Sequence, residues 1–119
     1  MATSTSEYKK AVHRLGEAIA QEKNEFIRNY VIQRFEFCIE LAWKTAKKVM
    51  GTATSAPKDV IREMAQAGYI SNVELWLKAI DMRNLSSHTY KEDLAEQVYT
   101  FSCEFLIQLK ALLESMDGK

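Results

Sequence analysis

The stretch from Asn24 to Met50 contains neither glycine nor proline and carries two apolar faces rather than one. At 3.6 residues per turn, Ile27, Val31, Cys38, Leu41 and Thr45 fall on one side of a helix, and Ile32, Phe35, Ile39 and Trp43 on another. A helix of that kind cannot simply lie on a surface, because each face needs its own partner. The C-terminal part repeats the pattern, with Leu94, Val98, Phe101, Phe105, Leu109 and Leu112 along one seam and Tyr99, Leu106 and Leu113 beside it. The N-terminal helix carries one stripe, Tyr8, Ala11, Val12, Leu15, Ala18 and Ile19. Short connections make successive helices antiparallel, so the expected fold is all-α, an up-and-down antiparallel bundle of four to five helices. Residues 1–119 are expected to form one domain, a length that buries a core without metals or disulfides. The surplus apolar surface of helices two and five is best absorbed by a homodimer, the alternative being a thick core.

Start and stop signals divide the chain further. Ser/Thr-x-x-Glu capping boxes at Ser4 to Glu7, Ser71 to Glu74 and Thr89 to Glu92 mark the starts of the first, fourth and last helices. Pro57 suits the first turn of the third. Gly51 and Gly68 stand where helices two and three should end.

Sixteen basic residues balance sixteen acidic ones, which argues against a general nucleic-acid binder and against a polybasic membrane anchor. Cys38 and Cys103 read as reduced thiols in apolar helical surroundings. No apolar run approaches the ~20 residues of a membrane span, and "MATSTSEYKK" lacks the apolar core of a signal peptide, so a soluble cytoplasmic protein is expected. No Gly-rich phosphate loop and no His/Cys/carboxylate cluster with metal spacing occurs, and neither a cofactor nor a metal is expected.

The chemistry concentrates in "RNLSSHTY", residues 83–90. In one uninterrupted helix Arg83 and His88, five positions apart, would point roughly 140° away from each other. Either the helix breaks here or the two residues meet their partners across an oligomer axis. With Thr89 as N-cap the break is expected: Arg83 closes one helix, Asn84 to Ser87 connect, and His88 stands before a helix N-terminus that favours an anion. Arginine adds a planar, permanent charge and histidine a proton donor and acceptor near neutral pH. The set suits a phosphodiester or another anionic substrate, although Arg83 and His88 could equally do no more than bond loop carbonyls. Arg34, Glu36, Glu40 and Lys44 have the spacing of ordinary i,i+4 ion pairs on a solvated or intersubunit face.

Three segments together resemble the HEPN superfamily, specifically the nucleotidyltransferase substrate-binding proteins. "RFEFCIELAWKTAKKVM" is similar to that family's Arg-Phe-Glu-Phe-x-x-Glu-Leu-x-Trp-Lys segment, and "SAPKDVIREMAQAGYI" to its Pro-x-Asp-x-x-Arg-Glu-x-x-x-x-Gly segment. "WLKAIDMRNLSSHTY" resembles its Trp-x-x-x-x-x-x-Arg-Asn-x-x-x-His-x-Tyr run, which contains the Arg-x4-His-x-Tyr signature. The resemblance implies a HEPN-like bundle, similar to the C-terminal helical domain of kanamycin nucleotidyltransferase, and makes a homodimer the expected state. It further implies a minimal nucleotidyltransferase, encoded nearby, as partner. On that footing Arg83 and His88 are the catalytic residues of a metal-independent ribonuclease toxin, with Asn84 and Ser87 as substrate-binding residues. Tyr90 is the tyrosine such a partner would adenylylate. RNA or a nucleotide is the expected ligand. The competing readings are a non-catalytic substrate-binding module and a purely helical dimerisation protein.

Overall fold

The computed structural model describes residues 4–118, and these form helices α1 (Ser6–Ile19), α2 (Glu25–Met50), α3 (Pro57–Gln66), α4 (Val73–Leu85) and α5 (Glu92–Gly118). A single 3-10 turn, Ser86–His88, sits between α4 and α5, and there is no strand among the described residues. The fold is the expected all-helical bundle. Helix α2 runs through its middle and touches all four other helices.

Local chemistry accounts for most boundaries. The Asn24 side chain accepts a hydrogen bond from Ile27 N–H at 2.8 Å and caps α2. Gly51 ends that helix at φ 70°, with its own N–H on the Lys48 carbonyl and Thr52 N–H on the Lys47 carbonyl, a Schellman closure. Gly68, φ 80°, closes α3 the same way through Tyr69 N–H to the Met64 carbonyl at 2.9 Å. Pro57 is the first residue of α3.

All three expected capping boxes are displaced. Helix α1 begins after Thr5, whose hydroxyl donates instead to Asp117 Oδ1 at 2.7 Å, so a contact with the far end of α5 replaces the local cap. Asn72, one residue beyond Ser71, caps α4 by accepting from Leu75 N–H at 3.1 Å. Thr89 spends its hydroxyl on the Ser86 carbonyl at 3.2 Å, and the first helical bond of α5 runs from Ala95 N–H to the Lys91 carbonyl. The last helix therefore begins at Glu92, and Tyr90 lies outside it.

The two faces of α2 find their partners within the chain: Val31, Ile32, Phe35, Cys38 and Ile39 are all at most 5% exposed. Phe35 meets Phe101 and Phe105 edge-on, and Trp76 closes the cluster against Phe105 with ring centroids 4.7 Å apart. Tyr8, fully buried, donates its phenolic hydrogen to the Leu109 carbonyl at 2.7 Å. Burial and the lost hydration push that phenol well above its ordinary pKa, so it stays a neutral donor. What α2 leaves outside is an aromatic strip of Phe26, Tyr30 and Phe37.

Candidate functional site

Arg83 occupies the last turn of α4, and the helix continues past it to Leu85 before tightening into the 3-10 turn. Asn84 is thus helical rather than part of a loop. The Arg83 guanidinium lies across α2: Nε donates to Glu40 Oε1 at 2.8 Å, and Nη1 stands 3.7 Å from Glu36 Oε2. Glu36 holds a second group, the hydroxyl of buried Ser86, at 2.6 Å. That hydroxyl also lies 2.5 Å from the Arg83 carbonyl and has one proton to share between the two acceptors. Glu36 is therefore not an ordinary i,i+4 partner of a solvated face, and Glu40 is shared with Arg83. Of the four residues read that way, only the Glu40–Lys44 pair, at 3.5 Å, keeps that geometry. Arg34 lies instead over the rings of Tyr30 and Phe37, at 4.9 and 5.1 Å.

His88 ends the 3-10 turn, exposed, its ring 6.0 Å from that of Tyr90 in an edge arrangement. Tyr90 is 76% exposed. Ser87 is exposed as well and donates its hydroxyl to the Asn84 carbonyl at 3.0 Å. No hydrogen bond or ion pair joins Arg83 to His88 among the described residues. Nη2 of Arg83 has no hydrogen-bond partner there either, and the side chain is 29% exposed.

The start of α5 is held by charge rather than offered to an anion. Glu92, in the first turn, takes a bidentate contact from Arg28, Nη1 to Oε2 at 2.6 Å and Nη2 to Oε1 at 3.2 Å. Glu96 accepts from Arg28 at 3.2 Å and from Lys23 at 2.6 Å. Arg28 is 5% exposed, and the Glu92 hydrogen bond, the larger cause, raises its already high pKa. The Arg28 hydrogen bond in turn holds Glu92 below the ordinary carboxylate range, while Lys23 first and Arg28 second do so for Glu96. Negative side chains thus already answer the positive end of the α5 dipole. The corner that carries His88 and Tyr90 is pinned to α2 twice, at Glu36 and at Arg28, about 12 Å apart at 1.5 Å per residue.

Glu36, Glu40, Ser86 and Arg28 escape a sequence reading, because each meets a partner decided by how α4 and α5 pack on α2. Among the described residues no cluster of three or more His, Cys, Asp or Glu side chains comes together to hold a metal, and no helix is long and apolar enough to cross a membrane.

Residues 3–118 match the family described as nucleotidyltransferase substrate binding protein like. A relative from Haemophilus influenzae named "Probable ribonuclease HepT" is 36% identical over 93 residues, which cover 71% of this chain and 64% of that protein. The chain thus spans somewhat less than two thirds of that relative's length. A crystal structure from Thermus thermophilus superposes with a TM-score of 0.84 at 28% identity, covering 92% of this chain and 98% of that one. So does a structure from Haemophilus influenzae described as revealing the fold of a substrate binding domain of a nucleotidyltransferase, at 0.84 and 27%, covering 96% and 99%.

Proposed function

Because this chain belongs to the nucleotidyltransferase substrate-binding protein family, we propose that it is the substrate-binding, toxin-type subunit of a two-component nucleotidyltransferase system with an endoribonuclease site at Arg83 and His88. The observation that carries this reading is the anchoring of Arg83 by Glu36 and Glu40, with Nη2 left open, while Ser86 fastens the turn bearing His88 to the same Glu36. A guanidinium anchored through Nε, 29% exposed and with Nη2 unbonded, is pre-oriented to donate to a phosphate.

In the cleavage step the RNA 2′-oxygen attacks the adjacent phosphorus and the bond from phosphorus to the 5′-oxygen breaks. His88 takes the 2′-hydroxyl proton, and a proton returned to the departing oxygen gives a 5′-hydroxyl and a 2′,3′-cyclic phosphate. Arg83 neutralises the charge gathering on the phosphorane-like oxygens. Asn84 and Ser87, exposed on the same turn, contact the substrate. No metal takes part in the scheme.

A second copy of the chain belongs to this reading, since one chain does not bond its Arg83 to its own His88. The exposed strip of Phe26, Tyr30 and Phe37, with the buried and unpartnered Arg34 Nε beneath it, supports a face that a partner copy covers. Tyr90, 76% exposed beside His88, suits adenylylation by the nucleotidyltransferase.

A non-catalytic binding module is the second reading, favoured by one specific observation: no described residue hydrogen-bonds the His88 imidazole to fix its tautomer. The deciding experiment is RNA cleavage in EDTA by the purified wild type, His88→Ala and Arg83→Ala. Loss of about 10²- to 10⁴-fold in His88→Ala is expected. Equal degradation by wild type and His88→Ala would mean a contaminating nuclease and leave the binding module.

A further inference from the structure

A second groove lies where the N-terminus of α1 meets the C-terminal half of α2, a volume of about 460 Å³ lined by Ser4, Ser6, Glu7, Leu41, Lys44, Thr45 and Lys48. We propose that it binds backbone phosphates of single-stranded RNA flanking the bond presented to Arg83. This rests on the reading of Arg83 and His88 as an RNA site and extends that site along α2.

Four observations support it. Thr45 is nine-tenths buried, yet it lines the groove, and its hydroxyl has no hydrogen-bond partner among the described residues. Among the described residues the polar side-chain atoms sealed from solvent without a partner are Arg34 Nε and Trp43 Nε1, so the Thr45 hydroxyl is an unbonded donor that reaches the groove and that a phosphate oxygen would accept. Helix α1, whose Thr5 N-cap makes no side-chain cap bond, brings its positive end to the same place, where the hydroxyls of Ser4 and Ser6 bond each other at 3.0 Å and Ser4 Oγ accepts from Ser6 N–H at 3.3 Å. Lys48 is exposed and has no ion-pair partner among the described residues, and the Lys44 side chain is 56% exposed even while 3.5 Å from Glu40.

The last observation is continuity with the first site. Arg83 bonds Glu40 at 2.8 Å, Glu40 pairs with Lys44, and Lys48 follows one turn later. Steps of four residues advance about 6 Å along a helix, so Arg83, Lys44 and Lys48 present cations in succession along one slowly winding ridge. Glu7 is the one acidic side chain lining the groove, and Glu40, not among its lining residues, is already shared with Arg83. A track of this kind reads no bases. It fixes the strand's path and leaves the cleavage position to the Arg83 end.

The test measures binding of a fluorescein-labelled single-stranded RNA oligonucleotide by anisotropy across a salt series, with His88→Ala as parent so that the probe survives. Lys44→Gln/Lys48→Gln in that background should weaken binding several-fold and flatten the log–log salt slope by about 1.4, at 0.7 per phosphate contact on single strands. Thr45→Val, which keeps the side-chain shape, should weaken binding without altering the slope. Lys110→Gln, exposed on α5, should change neither. Thermal melts establish that each variant is folded. An unchanged slope in the double lysine variant, or an equal loss in Lys110→Gln, overturns the track. ATP binding that depends on the two lysines while RNA binding does not would make the occupant a nucleotide polyphosphate and overturn it also. If the wild type fails to cleave RNA but binds it with the lysine-dependent slope, the cleavage reading falls and the track stands.

Discussion

Arg83 Nε and Glu40 Oε1, forty-three residues apart, meet at 2.8 Å across the α2–α4 contact. Glu36 approaches the same guanidinium from one turn earlier, at 3.7 Å. Two carboxylates on one ridge fix the plane of the arginine, which is the property a phosphate-binding fork needs before its ligand arrives. They also compete with that ligand for the charge. Nη2, which bonds no described residue, is the donor left for a ligand.

Glu40→Gln keeps an acceptor for Arg83 Nε and removes the charge, whereas Glu40→Ala removes both. Ribonuclease turnover should fall several-fold in the glutamine variant and about 10²-fold in the alanine variant, with kcat falling more than KM changes, because orientation is lost before binding is. Steady-state kinetics on a defined RNA checks this. Equal activity of all three proteins would show that Arg83 needs no anchoring.

Incubation with the proposed nucleotidyltransferase partner, ATP and magnesium should add AMP to Tyr90, the phenolic oxygen attacking the α-phosphorus and pyrophosphate leaving. The modification sets a bulky anion beside His88 and should abolish RNA cleavage. Intact mass and peptide mapping follow it, and Tyr90→Phe should take up none. Binding between the two proteins without any mass change would assign Tyr90 a purely structural part.

Acid should loosen the start of α5. Glu92 and Glu96 have lowered pKa values in the folded chain, so their contribution is complete above the unfolded carboxylate value of about 4.3 and is lost as pH falls through the folded values. Glu92→Gln/Glu96→Gln should therefore melt below wild type at neutral pH, and the gap should close on acidification. Thermal unfolding followed by circular dichroism at stepwise lower pH gives the comparison. A constant gap down to about pH 3 would place the stabilisation outside these ion pairs.

Cys38 is fully buried, and burial, slightly offset by Arg34, pushes its thiol up to about 12. At pH 8 the native protein should leave it unalkylated by iodoacetamide, while half-buried Cys103, whose thiol is raised chiefly by desolvation, reacts slowly. Both should react once the chain is unfolded. Fast native labelling of Cys38, mapped by mass spectrometry, would mean that α2 opens locally on the labelling timescale.

The helical class was written in the chain because periodicity is local: the double faces of α2 and α5, Pro57, Gly51 and Gly68 each act within a few residues of themselves. The caps were not so determined. Ser4, Ser71 and Thr89 all qualify as N-caps by type, yet Ser6, Asn72 and the Ser86 carbonyl took the bonds or the position, since a cap is one hydrogen bond and a competing contact of equal strength displaces it. The residues that hold the candidate site lay further from view. Glu36 and Glu40 satisfy a helical spacing rule with Lys44 as well as they satisfy Arg83, and only the packing of α4 on α2 chooses between them. Arg28 gives no sign in the sequence that it will be buried under Glu92 and Glu96. Residue types and their local spacing determined by themselves which side chains could do phosphate chemistry. The tertiary contacts decided which of them are anchored, which stay open and which face each other, because those distances join residues forty to seventy positions apart.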